Sequence, residues 1–438
     1  MRYLPTAIGF GFLCGAALAD WQGYAPPNPS QTGHNFLLGV SAASANDAWV
    51  VGYYQTLEGT SHNTYPLAVH WDGQTWTQVP TPAPSIPNIG TDCALYAVKV
   101  MAADDVWAAG YKVVQHPADG VVGMQLFVLH WDGGSWTEVA APVTPQGGTG
   151  AYVRDIEARG PGDITFVGLF NFVDVGGSTG LVMHWDGSGF TLHRTPNINT
   201  NNEKNLHVAP TADGQTWVVG MNGRGGWGSI PYVFRGSGDD WQLMGQWSQY
   251  AYTDTHSIVA FAADDAWIGG AKIENFTFAG YVFLHWNGSA WVEVPVSETY
   301  HEPHLAAAGP DDIYSAGGDS LMHYDGTGWS VVGYLSGFDN PNMNMVTIAP
   351  DGAVFGAGRY FPGGSGNGQT LAARYVPAGG AAGDIDGDGD VDLSDLTLLL
   401  SAFGSCIGDG GFDAAADFDA SGCVELADLA VLLGAFGA

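Results

Sequence analysis

A short aromatic motif recurs along the chain and restricts its fold more than any other feature. Copies of His-Trp-Asp-Gly, some with one substitution, begin at His70, His130, His184, His285 and His323, and degenerate copies begin at Arg235 and Arg374. Successive copies are about 40–60 residues apart, a period typical of β-propeller blades. The repeat therefore predicts a series of similar β-rich units.

A second signature precedes each copy and brings the number of units to seven. It consists of an acidic turn, an aromatic or β-branched residue and a glycine, and its copies end at Gly52, Gly110, Gly168, Gly220, Gly270, Gly317 and Gly358. In the second unit we expect strands over residues 95–102, 106–111, 126–131 and 135–139, joined by tight turns such as Asp132-Gly133. The sequence thus predicts an all-β seven-bladed β-propeller of four-stranded antiparallel blades over residues 20–378.

The two ends of the repeat region indicate how the ring closes. The seventh unit stops after Tyr375-Val376-Pro377 and lacks a fourth strand. Residues 20–27 resemble the fourth strand of the first unit, Trp76-Thr77-Gln78-Val79-Pro80. We expect this N-terminal segment to complete the last blade, which would remove the open sheet edges that favour aggregation.

Charge and composition exclude several classes of function. The chain of 438 residues has 44 Asp and Glu against 12 Lys and Arg, for a net charge of −32. Nucleic acids and anionic lipid surfaces are bound by clustered basic residues, so neither is an expected partner. Because 46% of the residues are hydrophobic and 12% are aromatic, a packed core is expected rather than a disordered acidic chain.

The first 19 residues have the pattern of a secretory signal peptide, with Arg2, an apolar run from Ala7 to Leu18 and a small-residue cleavage site. This run is too short for a membrane span, and no later segment is long enough. We therefore expect a secreted protein, either free or associated with the cell surface. Removal of the signal would leave three cysteines, enough for one disulfide.

The composition changes after a Gly/Ala linker at residues 379–383, and two twelve-residue acidic loops follow. In both loops, side chains with oxygen atoms are spaced as in EF-hand calcium loops, and glycine occupies position 6. We predict two Ca²⁺ ions, held by Asp384, Asp386, Asp388, Asp390, Asp392 and Asp395 in the first loop and by Asp417, Asp419, Ser421, Cys423, Glu425 and Asp428 in the second. Helices are expected over 393–403 and 426–436, and a disulfide between Cys406 and Cys423.

Two resemblances follow from these motifs. Residues 36–377 resemble secreted bacterial β-propeller repeat proteins, whose architecture the motifs identify better than their activity. The duplicated loops over 383–438, each with Asp at position 12 and one following helix, resemble a type I dockerin. That resemblance implies a cohesin-like protein partner. Positions 10 and 11, which often bear Ser and Thr in that family, are here Leu393-Ser394 and Leu426-Ala427.

The ligand-binding surface is expected where the long connections meet. Short turns join the first and second strands and the third and fourth strands, so the second-to-third and blade-to-blade connections share the other face. Aromatic and amide side chains in these segments suit a carbohydrate or a protein ligand; the alternative is that they pack the loops against one another. They include Tyr53-Tyr54, Asn171 to Asp174, Asn197 to Lys204, Arg224 to Trp227, Trp247 to His256, Glu274-Asn275-Phe276 and Phe338 to Asn344. The five repeated histidines are expected to be structural, because they are dispersed around the ring. His301 and His304 are better candidates for a pair of metal ligands.

No catalytic residue can be assigned from the sequence. A glycosidase needs two carboxyl groups about 5–10 Å apart, and the candidates are Asp174, Glu203, Asp254, Glu274, Glu302, Asp319 and Asp339. Three arginines that could bind a carboxylate are Arg154, Arg224 and Arg359. The favoured function is a recognition propeller anchored through its calcium-binding tail. The alternatives are a polysaccharide hydrolase or lyase delivered in the same way, and a structural surface protein.

Overall fold

The computed structural model forms seven four-stranded antiparallel sheets. It describes residues 21–58, 61–87, 90–115, 120, 122–143, 150–172, 177–196, 198, 203–222, 230–247, 252–274, 277–296, 303–364, 366–377, 383, 385, 391–406, 409–413, 416–418 and 421–436. The first strand of each blade contacts the first strands of the two neighbouring blades, and the last blade contacts the first. The sheets therefore close into the seven-bladed propeller that the repeats predict.

The strands of the first three blades are longer than their sequence signatures. Blade 1 contains β2 (Asn35–Ser44), β3 (Asp47–Glu58), β4 (Ser61–Trp71) and β5 (Trp76–Val79); blade 2 contains β8 (Cys93–Ala102), β9 (Asp105–Gln115), β10 (Val122–Trp131) and β11 (Trp136–Glu138); blade 3 contains β12 (Tyr152–Gly160), β13 (Asp163–Phe172), β14 (Gly177–Trp185) and β15 (Phe190–Arg194). A small hairpin of β6 (Ser85–Ile86) and β7 (Gly90–Thr91) lies between blades 1 and 2 in the sequence.

The remaining four blades have the same strand order. Blade 4 contains β16 (Glu203–Pro210), β17 (Thr216–Asn222), β18 (Ile230–Ser237) and β19 (Asp240–Gln246); blade 5 contains β20 (Tyr252–Ala260), β21 (Ala266–Glu274), β22 (Thr277–Trp286) and β23 (Trp291–Val294); blade 6 contains β24 (His304–Gly309), β25 (Asp312–Gly317), β26 (Ser320–Tyr324) and β27 (Trp329–Tyr334); blade 7 contains β28 (Asn342–Ile348), β29 (Val354–Tyr360), β30 (Gln369–Tyr375) and β1 (Gln22–Tyr24).

The expectation of long second-to-third connections is wrong for several blades. In blades 1, 2, 3 and 5 the second and third strands continue their pairing well beyond the repeat glycine. Tyr53-Tyr54, Asn171-Phe172 and Glu274 therefore lie in strands rather than in loops. The second and third strands form an extended two-stranded ribbon there, and its pairing satisfies backbone N–H and C=O groups that a loop would leave without partners.

The N-terminal strand closes the ring, as the sequence predicts. Strand β1 pairs antiparallel with β30, with Gln22 opposite Arg374 and Tyr24 opposite Ala372. The preceding Trp21 is only 2% exposed and packs into the apolar cluster between blades 6 and 7. The first strand of the propeller in sequence is thus the outermost strand of its last blade.

Each repeated histidine pairs with the aspartate that begins the second strand of its own blade. The Nε2–Oδ1 distances are 2.8–2.9 Å in the pairs His70–Asp47, His130–Asp105, His184–Asp163, His285–Asp265 and His323–Asp312. In four of these pairs the imidazole also lies against the aromatic residue of that strand, as with His285 on Trp267 at 4.4 Å between ring centroids. In blade 3 the residue opposite His184 is Thr165. The structural role predicted for these histidines is confirmed.

The repeat glycine is required by a β-bulge in the first strand of the blade. In six blades, the first strand has a bulged residue without an opposite partner near its beginning. These residues are Leu38, Tyr96, Arg154, Leu206, His256 and Asn344. The bulge brings a carbonyl oxygen of the first strand against the glycine, so that a Cβ on Gly52, Gly110, Gly168, Gly220 or Gly358 would lie 1.8–2.4 Å from it. Only glycine fits this close backbone approach.

Side chains near the bulges also join neighbouring blades. The carboxylate of Asp155 accepts the backbone N–H of Val208 at 3.1 Å. At the same position two blades further on, the Ser257 hydroxyl accepts the N–H of Leu305 at 2.9 Å. These bonds hold the first strands together where they surround the central channel.

The described part of the tail contains two helices, α1 (Leu393–Ala402) and α2 (Leu426–Gly434), close to the predicted spans. Apolar side chains from both halves form a core around the fully buried Val391, Val424 and Leu432. Cys406 and Cys423 form the predicted disulfide. No helix in the described ranges is long and apolar enough to cross a lipid bilayer.

Candidate binding site

A cavity of about 510 Å³ lies at one end of the central channel, and we call it the mouth cavity. Its walls come from the beginnings of the first strands, from the ends of second strands at Met221 and Arg359, and from Met124 at the start of β10. This is the end away from the tight first-to-second turns. The cavity therefore opens on the face where the sequence predicts ligand binding, within the ~300–1,000 Å³ of small-molecule sites.

The six bulged residues all line the mouth cavity. Bulges re-aim a side chain relative to the regular alternation of a strand, and here they turn Leu38, Tyr96, Arg154, Leu206, His256 and Asn344 toward the channel. Each of these residues stands fourteen positions before the glycine of its repeat. This spacing is the signal in the sequence that could have identified the cavity, since aligned repeats place one variable residue per blade there.

The wall of the mouth cavity is basic. Arg154, Lys204 and Arg359 contribute to it, and no Asp or Glu does so among the described residues. The guanidinium of Arg154 lies 5.3 Å from the Tyr96 ring centroid, and that of Arg359 lies 4.9 Å from the ring of Phe36. In a chain of net charge −32, this is a local reversal of sign.

Two tyrosines stand beside Arg154. The rings of Tyr96 and Tyr152 meet edge to face, with centroids 6.1 Å apart. Burial raises the pKa of Tyr96 to about 12, although the Arg154 charge acts in the opposite direction. Burial also raises the pKa of Tyr152. Both phenols therefore remain neutral near pH 7 and can donate or accept hydrogen bonds.

Three histidines complete the polar wall. Nδ1 of His207 lies 3.4 Å from Oδ2 of the buried Asp155. The rings of His256 and His304 are 5.8 Å apart between centroids. The sequence suggests His301 as the companion of His304, but His301 lies outside the described residues, and the observed neighbour is His256 from the preceding blade.

A second cavity, of about 340 Å³, continues toward the tight-turn end of the channel, and His207 lines both cavities. Its wall includes Lys99 and Glu157, whose side chains pair at 2.6 Å. In this second cavity the Lys99 ammonium group is therefore neutralised by a carboxylate of the protein itself. The mouth cavity differs because Arg154 and Arg359 form no ion pair with a described carboxylate.

The other residues proposed from the sequence are dispersed. Asp319 and Asp339 are exposed, and the Asp339 carboxylate accepts the backbone N–H of Gly363 at 2.7 Å. Asp174, Glu302 and Arg224 lie outside the described residues. Cys93 is fully buried, and burial raises the pKa of its thiol to about 12, as expected for a packed residue rather than a nucleophile.

In the tail, the position-12 carboxylates of the two calcium-type loops have matching surroundings. Asp395 accepts the N–H groups of Ile385 and Asp392, and Asp428 accepts those of Phe418 and Glu425, at 2.6–2.9 Å. Both side chains are fully buried. This donor set is compatible with an oxygen-bound hard cation, since a carboxylate oxygen that accepts one N–H can also coordinate a metal ion.

The described residues include only half of the other predicted calcium ligands. Asp384, Asp386, Asp388, Asp390 and Asp419 lie outside the described residues. Within the described part of the chain, no three potential metal-binding side chains come together. Asp417 accepts the N–H groups of Ser421 and Gly422, the turn expected at the start of such a loop.

Comparison with solved structures finds similar chains at low sequence identity. The chain is similar to the polysaccharide lyase Uly1, with a TM-score of 0.50 and 11% identity over 83% of this chain and 93% of that one. It is also similar to YCF48 bound to a D1 peptide, with a TM-score of 0.48, 16% identity and coverage of 81% and 96%. A fucose-specific lectin from Aleuria aurantia matches with a TM-score of 0.40, 15% identity and coverage of 70% and 100%.

No protein-family model matches the chain. A search of curated proteins also finds no match. The dockerin resemblance of residues 383–438 therefore stays a prediction. The fold and the cavity define a seven-bladed propeller with a basic site at the mouth of its channel, an arrangement that suits either ligand binding or catalysis.

Proposed function

We propose that this protein is a secreted recognition propeller that binds its ligand in the mouth cavity and is attached to a partner protein through its tail. The observation that supports this proposal is the ring of bulged residues, which presents one variable side chain from each of six blades to a common cavity. A rigid scaffold with variable residues at one end is a frequent arrangement for recognition.

The test uses the full chain and a panel of plant, algal and microbial polysaccharides. Binding is measured by co-sedimentation, and chain cleavage is measured as newly formed sugar ends. The proposal expects binding without cleavage, and loss of binding on Leu206→Trp, which fills the cavity without changing charge. Binding that survives Leu206→Trp would contradict the mouth cavity as the site, and failure to bind any polysaccharide would favour a protein ligand.

The tail is proposed to dock on a cohesin-like protein. Leu393 and Leu426 are 69% and 73% exposed, at equivalent positions of the duplicated unit, and each begins a helix. Leu400 and Leu433, about two turns further along each helix, are also exposed. Exposed apolar groups repeated in this way fit an interface better than a solvated surface.

Calcium is proposed to stabilise this docking surface. The predicted loops precede α1 and α2, so ions bound there would fix the helices that bear the leucines. A pull-down with an immobilised cohesin panel should retain the full chain in Ca²⁺ and release it in EDTA. The variant Leu393→Asp/Leu426→Asp should not be retained, whereas retention of this variant would contradict the proposed surface.

A polysaccharide lyase is the second candidate, and the composition of the cavity favours it over a hydrolase. Among the described residues the cavity has no carboxylate pair, which a glycosidase needs. It does contain basic residues next to Tyr96, Tyr152, His256 and His304. Cations could stabilise the charge that develops when a proton is removed next to a carboxylate, and a tyrosine or histidine could exchange that proton. Formation of unsaturated sugar ends in the panel would establish this alternative.

A further inference from the structure

We propose that the mouth cavity binds an acidic saccharide, with the carboxylate of a uronate unit held by Arg154 and Arg359. This inference rests on the proposed function and names the class of its ligand. Three observations support the inference: the charges of the two arginines, the aromatic rings that hold their guanidinium groups, and the remaining side chains of the cavity wall.

The charge distribution favours an anion from outside the chain. The sequence has 12 basic residues, and several of them pair with carboxylates: Lys99 with Glu157, Lys112 with Glu138, Arg159 with Asp163, Arg235 with Asp213 and Lys272 with Glu293. Arg154 and Arg359 have no such partner within the described part of the chain. Nε of Arg359 is buried and has no hydrogen-bond acceptor among the described residues. A buried cationic donor without an acceptor is costly unless a ligand supplies one.

The two guanidinium groups are held by aromatic rings rather than by acids. Arg154 lies over Tyr96, and Arg359 lies over Phe36. A guanidinium that stacks on a ring keeps its N–H edge available, and that edge matches a carboxylate in a bidentate pair. The arrangement therefore provides planar recognition of a carboxylate.

The remaining wall suits a sugar better than a bare inorganic anion. Tyr96 and Tyr152 offer neutral phenols beside Arg154, and Leu38, Leu206 and Met221 contribute apolar surface. Sugar rings combine apolar C–H faces with hydroxyl groups that need such donors and acceptors. Inorganic phosphate would leave most of a cavity of about 510 Å³ unused.

The test is calorimetric titration of the full chain with defined probes. The acidic probes are trisaccharides of galacturonate, glucuronate, mannuronate and guluronate. The neutral control is the methyl ester of each trisaccharide, which retains the sugar but removes the charge, and inorganic phosphate tests for a simple anion site. We expect at least one acid to bind about tenfold or more tightly than its own ester and than phosphate, because a charge-assisted pair contributes about this much.

Variants locate the binding. Arg154→Gln and Arg359→Gln should each weaken binding of the acidic probe about tenfold or more while leaving the weak affinity for its ester unchanged. Arg159→Gln is the matched control, because Arg159 stands on the same strand as Arg154, its substitution removes the same charge, and it pairs with Asp163 away from the cavity. The affinity of this control should equal that of the wild type. The thermal melt of each variant shows whether it is folded.

The outcomes separate this inference from the proposed function. Equal affinity for acid and ester, an acid affinity unchanged by Arg154→Gln and Arg359→Gln, or no binding of any acidic probe would overturn the inference. In those cases a neutral polysaccharide whose binding is lost on Leu206→Trp would still support the recognition function. Phosphate binding as tight as the best acid would mean an anion site without sugar recognition, which also overturns the inference.

Discussion

The carbonyl oxygen of Tyr152 occupies the space that a side chain at Gly168 would need, since a Cβ at that position would lie only 2.0 Å from it. Across β12 and β13, Gly168 pairs with Val153, which stands between Tyr152 and the bulged Arg154. Gly168, which the sequence marks only as part of a repeat, therefore helps to set the position of an arginine in the wall of the mouth cavity. The same relationship recurs in blades 1, 2, 4 and 7.

Gly168→Ala should destabilise the protein and disturb the cavity together. The added methyl group cannot fit against a backbone oxygen, so blade 3 must shift, at a cost of about 1–3 kcal/mol. Gly160→Ala on β12 is the matched control, because a methyl group there would meet no atom within 4 Å. Urea unfolding measures the stability, and titration with the acidic trisaccharides measures the cavity. Equal urea midpoints for the two variants would contradict the steric role of Gly168.

His285→Ala should lower the free energy of unfolding by about 1–2 kcal/mol, because it removes both the pair with Asp265 and the stack on Trp267. His285→Arg should be tolerated better. Blade 4 has Arg235 at the equivalent place, 5.8 Å over the ring of Trp217. Denaturant titration distinguishes the variants, and an arginine variant as unstable as the alanine variant would show that imidazole itself is required.

The hairpin aspartates should contribute stability that is lost in acid. In the turn of blade 6, hydrogen bonds from the Thr327 hydroxyl and from the N–H groups of Thr327 and Gly328 lower the pKa of Asp325 to about 2. Because the folded pKa lies below the unfolded value of about 3.9, this contribution is present above pH 4 and is lost between about pH 4 and pH 2.

The matched change is Asp325→Asn, since in the equivalent turn of blade 5 Asn287 accepts the backbone N–H groups of Ser289 and Ala290 at 3.1 Å. The variant should lose less stability than the wild type as the pH falls from about 4 to about 2. Urea midpoints measured at each pH give this difference. Parallel pH profiles for the two proteins would show that the hairpin carboxylate does not contribute.

Calcium removal should affect the tail and leave the propeller unchanged. The only α-helices in the described part of the chain are α1 and α2, so helical circular dichroism reports on the tail. EDTA should reduce this signal, and added Ca²⁺ should restore it, while the cooperative melt of the propeller stays at the same temperature. A helical signal that is insensitive to EDTA would contradict the predicted calcium loops.

The fold can be predicted because every blade repeats the same local requirements. The Asp-Gly turns and the repeat glycines act within one blade, and buried tryptophans pack against the next blade, as Trp49 does against Trp131 and Trp136. The repeated copies of these weak signals support one another. Closure by residues near Trp21 can be predicted for the same reason, since a strand is missing at one end of the repeats and present at the other. The repeats underestimate strand lengths because the extended ribbons continue beyond the repeated core.

The mouth cavity is only partly predictable. The sequence offers Arg154 and Arg359 as candidates without a motif to join them, and it gives no reason to single out Lys204. These residues belong to blades 3, 7 and 4, and only the ring brings them together. Only Arg154 among them is at a bulged position, whereas Lys204 and Arg359 are at paired positions, so the basic residues follow no single position of the repeat. The fourteen-residue spacing from the repeat glycine is visible in the sequence, but its meaning depends on the bulge.

The pairing of β1 with β30 sets an order of events during synthesis. The first strand leaves the ribosome early, but its partner is made last, which at usual synthesis rates means a delay of roughly tens of seconds. Until then Trp21 has no blade to enter, and the faces of blades 1 and 6 that pack against blade 7 remain uncovered. The propeller must therefore complete its folding after translation of the whole ring, so that a chain truncated within blade 7 is an aggregation-prone product rather than a smaller binding protein.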